Sequence, residues 1–148
     1  MITEDSVEID APAQLVWQVF SDVERWPEWT ASVSSLVARD GTGLAVGKRF
    51  AIKQPGMSKL VWKVTEVDPG STWTWVQRSP GVRVSARHWV IPQPGGRTLV
   101  RQQLDQGGVL GALVGRLMVK KTKRFLELEA QGLKARSEQL SGADGPRS

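Results

Sequence analysis

His88 is the residue best suited to chemistry in this chain. It is the sole histidine among 148 residues, and cysteine is absent. That combination excludes disulfides, thiolate nucleophiles, cysteine-ligated zinc or iron–sulfur centres and any multi-histidine metal site, so no metal and no cofactor is expected. An imidazole set in an apolar wall can still accept or donate a proton beside a carbonyl or enol, with a pKa near working pH. The neighbouring residues support such a placement. Val82, Val84, Ala86, His88 and Val90 alternate with Arg83, Ser85, Arg87 and Trp89, and period two gives the first set one face of a strand. The plain alternative is a core histidine, hydrogen-bonded to a neighbour and chemically idle.

Other polar groups fall where apolar ones are expected. Gln102 shares a face with Val100 and Leu104 and can hydrogen-bond His88 or a ligand oxygen. Glu66 is in phase with Val64, so it is expected to point inward, paired or with a raised pKa. Lys121 lies between Leu117 and Phe125 on the inner face of a helix, its stem packed inward and its ammonium at a cavity mouth. No serine can be tied to His88, and Gly41-x-Gly43 reads as a turn rather than a phosphate loop. Seven tryptophans with no tyrosine point to a very aromatic core or to a lined cavity. Trp73 and Trp75 share one strand face, and Trp62 shares another with Leu60 and Val64; such rings stack on a polycyclic or acyl ligand or simply fill the interior.

The elements that position these residues are legible from period and punctuation. Val7 and Ile9 alternate with polar neighbours in a first strand. Asp10-Ala11-Pro12 then starts a helix, with Asp10 as cap and Pro12 in the first turn. A second short helix covers Val23 to Trp26. Six strands follow, at 33–38, 49–54, 60–67, 72–77, 82–91 and 98–104, each closed by Gly, Pro or Asp as in an antiparallel meander. From about Gly108 the period returns to 3.6. Leu110, Leu113, Val114, Leu117, Phe125 and Leu128 predict one apolar face of a long helix to about Gln139. Gly107, Gly111 and Gly115, spaced by four, permit close backbone approach to the sheet. The expected fold class is α+β: a curved antiparallel sheet of about seven strands around a long C-terminal helix. It forms one domain over 1–141, with 142–148 disordered. Trp89 and Ile91 face the convex side and call for cover from the tail, a loop or a second subunit.

The charge is uneven. Residues 1–28 hold seven acidic side chains and one basic, whereas 108–140 hold seven basic and three acidic. A solvated helix face is the plainer reading of that basic stretch. No nucleic acid is expected, peripheral membrane contact stays open, and monomer and homodimer fit equally. The longest apolar run, Val109 to Val119, is interrupted by Arg116 and far short of a membrane span. With no signal-peptide pattern at the N-terminus, a soluble, cytoplasmic chain is expected.

Val7 to Trp17 followed by Trp26-Pro27-Glu28-Trp29 resembles the opening of the START/Bet v 1-like (SRPBCC) helix-grip superfamily. Val64 to Gly70 followed by Thr72-Trp73-Thr74-Trp75 is similar to its polyketide cyclase/dehydrase branch, as are His88, Gly95-Gly96 and the basic helix. The resemblance spans about residues 2–140 and implies a cavity for an apolar molecule between sheet and helix. The branch contains cyclases, aromatases and lipid carriers. The expected ligand-binding wall is Trp62, Val64, Trp73, Trp75, Val84, Ala86, His88, Val90, Val100, Gln102, Leu113, Leu117, Lys121 and Phe125. The expected function is binding of a lipid, isoprenoid or polyketide-like molecule as carrier or sensor; the alternative is a cyclase or dehydrase with His88 as the proton-transfer group.

Overall fold

The computed structural model describes residues 1–144. Its elements, in chain order, are β1 (Ile2–Ile9), α1 (Ala13–Ser21), a 3₁₀ turn (Val23–Glu28), β2 (Ser35–Ala38), β3 (Arg49–Lys53), β4 (Leu60–Asp68), β5 (Thr72–Ser79), β6 (Val82–Gln93), β7 (Arg97–Gly107) and α2 (Gly111–Asp144). All seven strands join one antiparallel sheet in the order β1-β7-β6-β5-β4-β3-β2. Strands β2 to β7 form a meander, and β1 closes the far edge by pairing with β7 from Ile2↔Asp105 to Ile9↔Thr98. Strand twist curls such a sheet, and α2 packs on its concave side against β1, β7 and β6. Among the described residues no helix is long and apolar enough to cross a membrane.

One end of the sheet is filled by aromatic rings. Phe20 from α1 stacks on Trp26 of the 3₁₀ turn (centroids 5.5 Å apart, 10° between planes) and meets Trp73 edge-on at 4.7 Å. The indole N–H of Trp26 donates to the Phe20 carbonyl at 2.8 Å, so this buried donor is satisfied. The corner between β1 and α1 is pinned from the opposite strand, where the Thr98 hydroxyl donates to the Ala11 carbonyl at 2.7 Å.

Several local expectations change. Pro12, not Asp10, is the N-cap of α1, without a side-chain cap; the Asp10 amide instead donates to Glu138 of α2 at 2.8 Å. Glu66 is exposed rather than inward. A bulge between Val64 and Glu66 inserts one residue, which turns Val67 toward the core and Glu66 to solvent. Trp89 lies on the convex face as expected, but its cover is local: the guanidiniums of Arg87 and Arg101 each sit 5.3 Å from its ring centroid. Helix α2 runs to Asp144, past the expected end at Gln139 and through the first residues of the stretch expected to be disordered; residues 145–148 lie outside the described residues.

The largest change concerns which face of α2 turns inward. The buried positions are Gly111, Gly115, Thr122, Leu126, Glu129, Ala130, Leu133 and Ser137, while Leu113 and Leu117 are exposed. Glycines decide this. A Cβ at Gly111 would lie 2.5 Å from the Gln106 carbonyl oxygen, and one at Gly132 would lie 2.0 Å from that of Trp29. The helix therefore presents its glycines where backbones approach most closely. Gly107 needs no such freedom, since its Cβ would meet nothing nearer than 3.7 Å.

These contacts predict opposite outcomes for two Gly→Ala changes in one helix. Gly132→Ala drives a methyl into the Trp29 backbone and should lower the thermal midpoint by about 5 °C. Gly142→Ala meets nothing within 4 Å and should leave the midpoint unchanged or raise it, because alanine favours helix. Circular-dichroism melts of both variants check this, and equal shifts would refute the close approach.

Candidate ligand cavity

A cavity of about 510 Å³ lies between the concave face of the sheet and α2. The strands contribute Ile52, Leu60, Trp62, Trp75, Val84 and Ala86 to its wall. The helix contributes Val114, Met118, Thr122, Phe125, Leu126 and Glu129, and Trp26 closes the inner end. The mouth is marked by the exposed Gly56 and Ser58 of the β3–β4 loop, by Ser79 and Val82 of the β5–β6 hairpin, and by Lys121. The Lys121 ammonium reaches across this mouth to donate to the Gly56 carbonyl at 3.4 Å.

His88 reaches the cavity from β6, opposite Trp73 on one side and Gln102 on the other. Its ring stacks on the Trp73 indole at 3.9 Å and 13°, with Phe20 edge-on at 5.3 Å. Nδ1 lies 3.2 Å from the Trp73 carbonyl. A carbonyl only accepts, so Nδ1 carries the proton and Nε2 keeps a lone pair. Burial pulls the imidazole pKa down to about 3, against the smaller raising effect of the Trp73 hydrogen bond. His88 is therefore neutral at physiological pH and a weak base. Beside it, Gln102 donates through Nε2 to the Leu126 carbonyl at 3.4 Å, and its Oε1, although buried, has no partner among the described residues.

Glu129 is the functional candidate that the sequence did not reveal. Its carboxyl is buried in the cavity wall and accepts from the Ser32 hydroxyl at 3.2 Å; Ser32 in turn is bonded to Thr30. Burial pushes its pKa up to about 8. The Ser32 bond opposes that, and the Asp5 charge adds a smaller push in the same direction. At neutral pH Glu129 is mostly a carboxylic acid, able to donate a proton. The available signal was its spacing: position 129 lies between Leu126 and Leu133, seven residues apart on one helix face.

Of the fourteen expected wall residues, Trp62, Trp75, Val84, Ala86, His88, Gln102, Lys121 and Phe125 line the cavity. Four others are buried elsewhere. Trp73 packs under Trp17 and Phe20 of α1. Val90 and Val100 form a cross-strand pair in the filled part of the core, and Val64 is likewise core. They share the concave surface with the cavity, but α1 and the 3₁₀ turn occupy that end. Leu113 and Leu117 point to solvent, because the glycine positions rotate the helix away from its leucine stripe.

Comparison with known proteins agrees with this geometry. Residues 2–138 match the family model described as polyketide cyclase / dehydrase and lipid transport. Among solved structures, the Zhui aromatase/cyclase from a Streptomyces species superposes with a TM-score of 0.75 at 18% identity, covering 99% of each chain. A START superfamily protein from Mycobacterium smegmatis gives 0.69 at 23% identity, covering 94% of this chain and 98% of the other. Norcoclaurine synthase from Thalictrum flavum, in complex with dopamine and hydroxybenzaldehyde, gives 0.73 at 17%, covering 99% and 89%. At these identities the likenesses speak for the fold alone. The family match reaches nearly the whole chain, and the seven-stranded sheet gripping one long helix has the START/Bet v 1-like architecture: the chain belongs to the polyketide cyclase/dehydrase and lipid transport family.

Proposed function

We propose that the chain binds a hydrophobic small molecule, of lipid, isoprenoid or polyketide-like character, in this cavity and acts as a carrier or sensor. The observation that carries the reading is the cavity itself, about 510 Å³ walled mainly by apolar side chains. With water in place of packed side chains, such a wall lacks the apolar contacts that a filled core would make. An apolar guest of fitting size regains those contacts. His88 Nε2 and Gln102 Oε1 offer acceptors on the wall, and Glu129 a donor, so a guest with an oxygen function finds partners. Native mass spectrometry of the purified protein, with solvent extraction of what travels with it, tests the proposal directly. Ala86→Trp, which fills the wall, should weaken binding of an anthracene-type fluorophore at least about tenfold. His88→Ala should retain it. A protein that carries nothing and binds no such probe would refute the reading.

The second reading is a cyclase- or dehydrase-type enzyme, consistent with the aromatase/cyclase among the structural neighbours. Its specific support is the pairing of a neutral imidazole with a protonated carboxyl in one cavity. There Glu129 protonates a carbonyl or departing hydroxyl oxygen, and His88 Nε2 receives a proton from carbon. The weak basicity of His88 makes a resting carrier the better-supported reading.

The proton on Glu129 has a measurable consequence. Its pKa is about 8 when folded against an ordinary 4.5, so between those pH values the folded chain holds the extra proton and stability falls as pH rises. His88 acts oppositely. With a folded pKa of about 3 against 6.5, its contribution is present above pH 6.5 and is lost as pH falls toward 3. Above pH 6.5 only the Glu129 effect remains, and urea unfolding should show stability falling by up to about 1.4 kcal/mol per pH unit toward pH 8. Glu129→Gln should abolish that slope. An unchanged slope in the Gln variant would mean that the folded chain holds Glu129 ionised.

A further inference from the structure

The start of α2 carries large apolar side chains that neither the core nor the cavity uses. Val109 is 92% exposed, Leu110 45%, Leu113 57% and Leu117 76%. At 3.6 residues per turn, Leu113 and Leu117 lie within about 40° of each other around the helix axis. Lys120 and Arg124 continue the same line toward the C-terminus, beginning about 10 Å beyond Leu113. Arg116 and Lys123 flank the line on one side, and Lys121 lies on the other at the cavity mouth. From Gln106 to Leu126 there are five basic side chains and no acidic one, a surplus equal to the +5 of the whole chain. The rest of the molecule is neutral, so the net charge is concentrated where the apolar side chains are bare. Among the described residues only one of these five cations forms an ion pair, Arg124 with Glu127 at 3.7 Å.

We infer that the first turns of α2 dock on an anionic lipid membrane, with Val109, Leu113 and Leu117 entering the acyl boundary and Arg116, Lys120, Lys123 and Arg124 meeting the headgroups. An interfacial helix buries its apolar side chains about 5–10 Å deep, which matches the apolar tip and the cationic segment one to two turns behind it. Each basic side chain near an anionic surface strengthens partitioning about fivefold. A second copy of the chain is a poorer occupant, since it would bring the same five cations face to face. Docking in this manner also turns the cavity mouth, with Lys121 and Gly56, toward the lipid surface, so an apolar guest passes between membrane and cavity with little exposure to water.

Co-sedimentation with lipid vesicles tests this. The intact protein should bind phosphatidylcholine vesicles containing a quarter phosphatidylglycerol, bind pure phosphatidylcholine vesicles far less, and lose affinity at high salt. Leu113→Ser with Leu117→Ser, and separately Lys120→Glu with Arg124→Glu, should each lower vesicle binding at least about tenfold. The altered side chains are exposed, so thermal midpoint and fluorophore binding in the cavity should stay as in the parent. The cavity-filling Ala86→Trp should still bind vesicles, which separates this surface from the ligand-binding reading. Absence of vesicle binding at low salt, or binding that survives the leucine changes, would overturn the proposal. So would a concentration-dependent dimer, seen by light scattering, that Leu113→Ser abolishes, since it would assign the face to a second copy.

Discussion

The aromatic packing of Phe20 and Trp26 against Trp73 is the constraint on which the rest of the molecule depends. A strongly curved sheet has more concave surface than one helix can cover. These rings fill one end, with Phe20 at 4.7 Å and His88 at 3.9 Å from Trp73. Helix α2 is held over the remainder by close backbone approach at Gly111 and Gly132. With both ends of the helix fixed, side chains alone must fill the space between its middle and strands β3 to β6, and they leave about 510 Å³. The cavity is thus what remains when two separate packing solutions, aromatic at one end and glycine-mediated along the helix, are satisfied on the same sheet.

The same packing sets the proton states of the cavity. His88 and Glu129 have similar burial, and burial disfavours the charged form of each, so the two move in opposite directions: the imidazole down to about 3, the carboxyl up to about 8. Each is therefore neutral at physiological pH. A wall of neutral donors and acceptors suits an apolar molecule bearing a hydroxyl or carbonyl, because no ion must be desolvated when it enters.

Much of this was legible in the sequence, and the failures have physical causes. The strands were readable because nearly every one ends at Gly, Pro or Asp, and a hairpin turn is a local decision. Period two puts His88, Trp62, Trp75 and Gln102 on the inner face of the sheet, while the cavity itself came from the resemblance. Glu66 was misplaced because a bulge beside Val64 changes the phase of one strand, and no residue type announces a bulge of that kind. A bare Trp89 on the convex face calls for cover from the tail, a loop or a second subunit, yet Arg87, two residues away, and Arg101, its cross-strand partner, supply it. Glu129 escaped because helix reading by hydrophobicity assigns carboxylates outward; only the tertiary fit of α2 puts it inside.

Large side chains normally mark the buried side of a helix, yet in the first two turns of α2 the buried positions are Gly111 and Gly115 while Leu113 and Leu117 face outward. Farther along the helix the ordinary pattern returns, with Leu126 and Leu133 buried. A Cβ at 115 would come within 3 Å of the Met1 side chain and the Gln106 amide, so glycine there lets the helix seat against these two side chains without displacing them. Val114 and Met118 take the inward positions beside the glycines, and the bulk of Leu113 and Leu117 is left to solvent. An interior that seats the helix on glycine, and an exterior that leaves its leucines bare among cations, follow from one arrangement of residues, and both lie at the end of the molecule where the cavity opens.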